Sequence, residues 1–286
     1  MLASVVITCY NLEKFISEAI QSVLNQNINS INYEILVVDD CSTDRSAEII
    51  KSFTQVRYLR TSRNLGVLMA TISALEEANG ELIFFLDGDD VWEPSKLSTV
   101  TERFMSDKTL SLVTHDLKFI DTAGNVLNRL SRSEVCINRE PFNQVGIKIR
   151  EGILFHSDFV WLGSAYAVHR LHGNIRGFCE FVKKLEDPYN TYQDWPLAFW
   201  VICQSNANCG YVQEKLFRYR LHDSNYSGDA SSVAKALRNL NRSRNTILAI
   251  AKISEYFDLD LRVRNITKQK LDYYSYLVHL YSGYRW

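Results

Sequence analysis

Five apolar residues, Leu82-Ile83-Phe84-Phe85-Leu86, run straight into Asp87-Gly88-Asp89-Asp90 and then Val91-Trp92. Clustered carboxylates repel one another, and taking them out of water adds to the cost. A divalent cation removes that penalty. Hard cations such as Mg²⁺ take carboxylate oxygens and share the rest of their shell with substrate phosphates. The pattern points to a metal–phosphate site at the end of a buried strand. Turn chemistry, with Asp87 and Asp90 shaping a bend and Asp89 solvated, explains the stretch equally well when it is taken alone.

Other residues could join such a site. Asp39-Asp40 follows the apolar run Tyr33-Glu34-Ile35-Leu36-Val37-Val38, and Thr8 and Tyr10 end the run Ser4-Val5-Val6-Ile7. Asp194 stands ahead of Pro196, which suits the first turn of a helix running through Leu197, Phe199, Trp200, Val201 and Ile202. A carboxylate there is favoured by the helix dipole, so plain capping competes with a role as general base. Asp187 is its rival, but it lacks the following Trp and helix. Tyr219-Arg220-Leu221-His222 closes an alternating, strand-like stretch, and His115-Asp116 reads as a strand end.

Strand and helix alternate three times before Asp87. Helical spacing links Phe15 to Leu24, Ala47 to Phe53 and Ala70 to Ala78, with Asn11 expected to cap the first helix and Ser42 or Thr43 the second. The alternation predicts right-handed crossovers and a mostly parallel sheet covered by helices. In open α/β sheets, ligands sit outside the carboxyl ends of the strands. Thr8–Tyr10, Asp39–Asp40 and Asp87–Asp90 then meet at one rim. No glycine occurs in Thr8-Cys9-Tyr10-Asn11-Leu12-Glu13, which argues against a dinucleotide-binding dehydrogenase, a P-loop and a sugar nucleotidyltransferase. What remains is a nucleotide site that holds its phosphates through a metal.

Val5-Val6-Ile7-Thr8-Cys9-Tyr10-Asn11, Val37-Val38-Asp39-Asp40-Cys41-Ser42-Thr43-Asp44, Arg63-Asn64-Leu65-Gly66 and Leu86-Asp87-Gly88-Asp89-Asp90-Val91-Trp92 together resemble the family 2 glycosyltransferases of bacterial surface-polysaccharide type, which have the GT-A fold. The resemblance covers about residues 3–227. It implies that Thr8 and Tyr10 line a nucleotide pocket and that Asp40, with Asp39, hydrogen-bonds the base. It makes Asp87-Gly88-Asp89 the DxD motif. Asp87 then lies by the ribose and donor sugar, and Asp89 holds Mn²⁺ or Mg²⁺ on the diphosphate. Arg220 and His222 are expected to face the diphosphate, His222 at the metal. Asp194 becomes the catalytic base, although Gln193 stands where the family commonly has Glu. Gly163 and Ser164, in Trp161 to Arg170, resemble a segment that frames the acceptor pocket.

The function so implied is metal-dependent, inverting transfer of a sugar from a UDP-sugar or similar donor to a glycan or lipid-linked acceptor. A non-catalytic sugar-nucleotide-binding module is the alternative, with Gln193 as its main support. The expected domains are a GT-A unit over residues 1–227, divided at 110 into nucleotide-sugar and acceptor halves, and a helical region over 228–286. Residues 131–150 read as a polar loop over the site.

The chain of 286 residues has a net charge of −1, which gives no reason to expect nucleic acid as partner. The charge is uneven: from Lys215 onward there are 13 Lys/Arg against 6 Asp/Glu. Six cysteines without a CxxC pair read as reduced thiols. No signal peptide is apparent, and a cytoplasmic location, at the inner face of the membrane, is expected. For the basic, tyrosine-rich tail two readings stay open: peripheral contact with an anionic membrane, or a packed helix pair with a solvated basic face.

Overall fold

The computed structural model describes residues 1–28, 31–129, 162–222 and 232–283. The expected loop at 131–150, Cys136, Trp161 and the polar loop at 223–227 lie outside the described residues. The first half alternates β1 (Leu2–Cys9), α1 (Ile16–Leu24), β2 (Asn32–Asp39), α2 (Ser46–Lys51), β3 (Arg57–Arg60), α3 (Val67–Glu77) and β4 (Leu82–Asp87). There follow β5 (Val91–Trp92), α4 (Lys96–Ser106), β6 (Leu112–Ile120), β7 (Tyr166–His169), α5 (Ile175–Val182), α6 (Asp194–Ile202), β8 (Cys209–Arg220), α7 (Val233–Tyr256) and α8 (Leu261–Gly283).

The strands form one sheet in the order β3-β2-β1-β4-β7-β6-β8-β5. β3, β2, β1 and β4 are mutually parallel, while β7 lies antiparallel to both β4 and β6. The period-2 alternation of a strand divides β4 between two cores. Ile83 and Phe85 pack on the face covered by α3, α5, α6, α7 and α8; Leu82, Phe84 and Leu86 pack on the face covered by α1, α2 and α4. Each such fully buried side chain contributes roughly 1.5–3 kcal/mol. The continuous apolar run in β4 is therefore the signature of a strand covered on both sides.

Several local expectations are corrected. α1 starts at Ile16, and Asn11 does not cap it; Asn11 adopts a left-handed backbone with φ 54° and accepts the Thr43 N–H at 2.8 Å. Ser42 and Thr43 do not cap α2 either, since Ser42 Oγ accepts the Asn11 N–H at 2.9 Å. These side chains join the loop after β1 to the loop after β2. His115 and Asp116 do not end β6, which continues to Ile120 through a register shift at those residues. The turn expected at Asp121–Asn125 is present, closed by Asp121 N–H to Asn125 O at 3.0 Å.

α7 begins with the Ser232 hydroxyl accepting the Lys235 N–H at 3.2 Å. Ile247, Ile250 and Ile253 of α7, Leu259 of the connection that follows it, and Val263 and Ile266 of α8 join the core that holds Leu197 and Trp200. The packed-pair reading therefore accounts for these faces. Farther along α8, Tyr273, Tyr276 and Tyr281 are exposed. Among the described residues, no helix is long and apolar enough to cross a membrane.

Candidate active site

Because β1 and β4 are parallel neighbours in register, Thr8 sits beside Asp87 at the carboxyl ends of both strands. A cavity of about 460 Å³ opens there. Its lining includes Thr8, Tyr10, Asp40, Asp87, Gly88, Asp89 and Asp194. The three strand ends and the helix start expected from sequence thus converge on one space.

Asp87 Oδ1 accepts hydrogen bonds from Thr8 Oγ1 at 3.3 Å and Gln193 Nε2 at 3.1 Å. Ser164 Oγ accepts the Asp87 N–H at 3.0 Å. Burial, then the negative charges of Asp89 and Asp194, push the Asp87 carboxyl up to about 7, against the opposing Thr8 hydrogen bond and Lys96 charge. Asp90 is almost wholly buried. Burial and the Asp89 and Asp87 charges raise its carboxyl well above the usual range. Its Oδ1 accepts the Arg220 N–H at 3.0 Å, whereas Oδ2 has no partner among the described residues. The turn between these carboxylates is tight: a Cβ on Gly88 would lie 2.7 Å from Thr8 O.

Behind the tip sits Lys96, fully buried, with Nζ 4.2 Å from the Trp92 ring centre and hydrogen-bonded to Ser164 O. Burial draws its ammonium well below the usual lysine range, although Asp90 and Asp87 oppose this. A lone lysine at a helix start reads as solvated, so no sequence signal marked it as the internal countercharge of the acidic tip.

Asp89 Oδ2 lies 2.9 Å from His222 Nε2, and the His222 ring packs 4.7 Å from Phe15. No group of three or more His, Cys, Asp or Glu side chains among the described residues is arranged to enclose a metal. The Asp89 carboxylate on the cavity, with His222 beside it but outside the lining, nevertheless offers an oxygen donor that suits Mg²⁺ or Mn²⁺, whose shells take water and substrate phosphate besides.

Arg220 is 1% exposed, and its guanidinium donates to Asp89 O, Asp121 O, Thr122 O and Glu18 Oε2 at 2.5–3.3 Å. It braces the tip from behind and is not among the lining residues. Asp39 is also placed outside the lining: Oδ1 accepts the Ser42 N–H at 2.8 Å, and Oδ2 accepts Tyr58 Oη at 2.9 Å and Arg60 at 2.5 Å. Asp40 does line the cavity, and it accepts the N–H groups of Leu65 and Gly66 at 2.8 and 2.7 Å. Both aspartates therefore organise loops, and only Asp40 borders the open space.

Asp194 lies in the first turn of α6, with Oδ1 accepting the Trp195 N–H at 3.0 Å. Asp187 is not among the lining residues; its Oδ2 accepts from Asn245 at 2.9 Å. Gly163 packs against the Gln193 amide, and Ser164 holds Asp87 and Lys96. The segment expected to admit substrate beside its backbone here positions protein groups. Sequence reasoning missed the far wall, supplied by Tyr192, Trp195, Arg242, Ser243 and Tyr274.

Fold and site together define a glycosyltransferase of the GT-A class. Residues 4–168 match Glycosyl transferase family 2, and the chain belongs to that family. It is 36% identical over 242 residues to an uncharacterised glycosyltransferase of Nostoc sp., spanning 81% of this chain and 68% of the relative. It is also similar to the poly(ribitol-phosphate) β-N-acetylglucosaminyltransferase TarS of Staphylococcus aureus, with 35% identity over 94 residues, 32% of this chain and 16% of TarS. The crystal structure of S. aureus TarS 1–349 with UDP-GlcNAc superposes with a TM-score of 0.63 at 17% identity, covering 96% of this chain and 71% of that one. The mannosyltransferase PcManGT of Pyrobaculum calidifontis, in complex with GDP-Man and Mn²⁺, gives 0.59 at 14% identity, covering 99% and 76%.

Proposed function

We propose that this glycosyltransferase moves a sugar from a nucleotide diphosphate donor, UDP-linked, to a hydroxyl of a glycan or lipid-linked acceptor in surface-polysaccharide synthesis, with inversion at the anomeric carbon. The observation that carries the reading is the convergence of Thr8, Asp40, Asp87, Asp89 and Asp194 on one cavity at the carboxyl ends of β1, β2 and β4. The nucleotide complexes of TarS and PcManGT support the donor class.

Tyr10 and Asp40 border the base, and Thr8 and Asp87 the ribose and sugar. Asp89 and His222 are the donors for Mn²⁺ or Mg²⁺, which when bound offsets charge building on the departing diphosphate. Asp39 and Arg220 support these groups from outside the cavity. Asp194 takes the acceptor hydroxyl proton during attack, since that hydroxyl is a poor nucleophile until the proton leaves. Its place in the lining, with Asp187 bonded elsewhere, favours Asp194 as the base. One base and one displacement give inversion. The enzyme works in the cytoplasm at the inner face of the membrane, where lipid-linked acceptors are presented.

Release of UDP from a panel of UDP-sugars in the presence of Mn²⁺ tests the assignment. Wild-type protein is expected to release UDP, and Asp89→Ala and Asp194→Asn to slow sugar transfer by roughly 10²–10⁴-fold. Equal rates in all three proteins would refute the site.

A further inference from the structure

α6 carries two tryptophans, and the fold treats them differently. Trp200 is fully buried, and its indole N–H donates to Asn174 O at 3.1 Å. Trp195 is half-buried: it packs on the same core and also lines the cavity. Among the described residues it is the tryptophan on that space, since Trp92 is buried in the core on the other face of the sheet. We propose that Trp195 is the platform on which the acceptor lies, and that the acceptor is a pyranoside offering a face of C–H groups, not an open-chain alditol. The proposal rests on the glycosyltransferase reading with Asp194 as base. It adds the chemical class of the acceptor and the residue that selects it.

Three observations carry it. First, the indole N–H of Trp195 has no acceptor among the described residues, unlike that of Trp200. Other rings of the same wall are engaged within the protein. Arg242 lies against Tyr192, its guanidinium carbon 5.3 Å from the ring centre, and Ser243 hydrogen-bonds Tyr274. Trp195 thus keeps a polar tip and ring surface for a ligand. Second, the ring stands beside the base. Asp194 Oδ1 accepts the Trp195 N–H at 3.0 Å, in the first turn of α6. Third, the platform is held in place. Pro196 and Leu197 after it are buried, and Thr246 Oγ1 accepts the Tyr192 N–H ahead of it at 3.0 Å. A surface so fixed costs little to order when a ligand lands on it.

The chemistry of a sugar ring fits this place. A pyranose carries hydroxyls around its rim and C–H groups on its faces. The electron-rich face of an indole attracts those C–H groups and removes apolar surface from water. The rim hydroxyls stay free, and an acceptor lying on Trp195 has one of them beside Asp194. An alditol with the same hydroxyls has no fixed face, and it must give up internal rotations to make one.

Matched sugars test the idea with the full chain, UDP and Mg²⁺. Methyl glucoside, methyl galactoside and methyl N-acetylglucosaminide are the pyranosides; glucitol, galactitol and N-acetylglucosaminitol are their open-chain partners. Saturation-transfer NMR is expected to mark the ring C–H protons of at least one pyranoside and not those of its alditol. Trp195→Leu should lose that signal, and Trp195→Phe, which keeps a ring, should retain part of it. In transfer assays with the donor found active, Trp195→Leu should raise the acceptor KM by roughly 10–100-fold while the donor KM stays near wild type. A general structural defect would move both. No pyranoside marked in wild type, equal marking of pyranoside and alditol, or an undiminished signal in Trp195→Leu overturns the proposal. If Trp195→Leu does not fold, fluorotryptophan-labelled wild type decides, with the Trp195 resonance assigned through Trp195→Phe. A shift of that resonance with the pyranoside supports the platform, and no shift removes it. Should wild type release UDP from no donor, the donor reading fails separately; the NMR measurements need no turnover and still decide the platform.

Discussion

Gln193 donates its amide to Asp87, 3.1 Å from Nε2 to Oδ1, and so ties the start of α6 to the end of β4. The Thr71 hydroxyl donates to Gln193 Oε1 and fixes which end of the amide faces the acid. A position that reads in the sequence as a lost carboxylate thus has a physical role. It supplies a neutral donor beside a carboxyl that already titrates near 7 because of burial and the Asp89 and Asp194 charges.

Gln193→Glu replaces that donor with a second acid. Two carboxylates in contact cannot both ionise cheaply, and sharing a proton relieves only part of the repulsion. We expect a loss of about 2 kcal/mol, or roughly 4–8 °C in Tm for a chain of this size. Added Mn²⁺ should recover more Tm in the variant than in wild type. Differential scanning fluorimetry with and without Mn²⁺ measures both; an unchanged Tm would show that the Gln193–Asp87 contact is not made in solution.

Gly66 is where α3 meets the segment carrying Tyr189. Its φ of 81° is disfavoured for side-chain-bearing residues, and a Cβ there would sit 1.9 Å from Tyr189 O. Its N–H also bonds Asp40 Oδ2 at 2.7 Å. Gly66→Ala is expected to cost about 2–4 kcal/mol from backbone strain and the clash together. Displacing the Asp40 loop should also weaken UDP binding by roughly 10-fold or more, about 1.4 kcal/mol per factor of ten. Urea denaturation and calorimetry with UDP give the two numbers, and wild-type values for both would contradict the placement of Tyr189.

His115 sets an acid limit on stability. It is fully buried beside Phe217, with Nδ1 2.9 Å from Asp116 O and Nε2 without a partner among the described residues. Burial first, and then the Lys96 charge, hold its imidazole well below the usual histidine range. Above about pH 6.5 both folded and unfolded chains keep this ring neutral, and no penalty arises. As pH falls below that value the unfolded chain takes the proton and the folded one does not. Stability then drops by about 1.4 kcal/mol per pH unit from this residue. His115→Gln should flatten the acid limb of a stability–pH curve between pH 6.5 and 5 by that slope; an unaltered slope would assign the acid sensitivity to other groups.

The strand ends were legible because unbroken apolar runs ending in Thr, Asp or Asp-Gly-Asp-Asp admit few structural meanings. Asp194 was legible through Pro196, which marks a helix start. The far wall was not. Arg242, Ser243 and Tyr274 lie on helices whose basic and aromatic residues suit a membrane surface as well as a protein one, and only packing on Trp200 and Leu197 decides between them. That Asp39 and Arg220 turn away from the cavity was not legible for a related reason: a motif gives a residue's place in the chain, but not which way its side chain turns. Lys96 carried no signal, since nothing local distinguishes a buried ammonium from a solvated one.

Ile250 tests whether the helix pair is part of the working enzyme. It is wholly buried in the core shared with α6, one turn after Thr246, whose hydroxyl accepts the Tyr192 N–H. Ile250→Ala removes three carbons from a close-packed site, and the expected cost is about 2–4 kcal/mol, or roughly 4–16 °C in Tm. The cavity it leaves lets α7 shift, and the shift passes through Thr246 to the residues just ahead of Asp194. Misplacement by even one ångström is enough to cost on the order of 10²-fold in rate. At a temperature where the variant is fully folded, we therefore expect sugar transfer to fall while UDP affinity, set at the strand ends, changes little. Circular dichroism, UDP calorimetry and transfer rates on the same sample check this. A variant that loses stability but transfers at the wild-type rate would make the helix pair a scaffold alone.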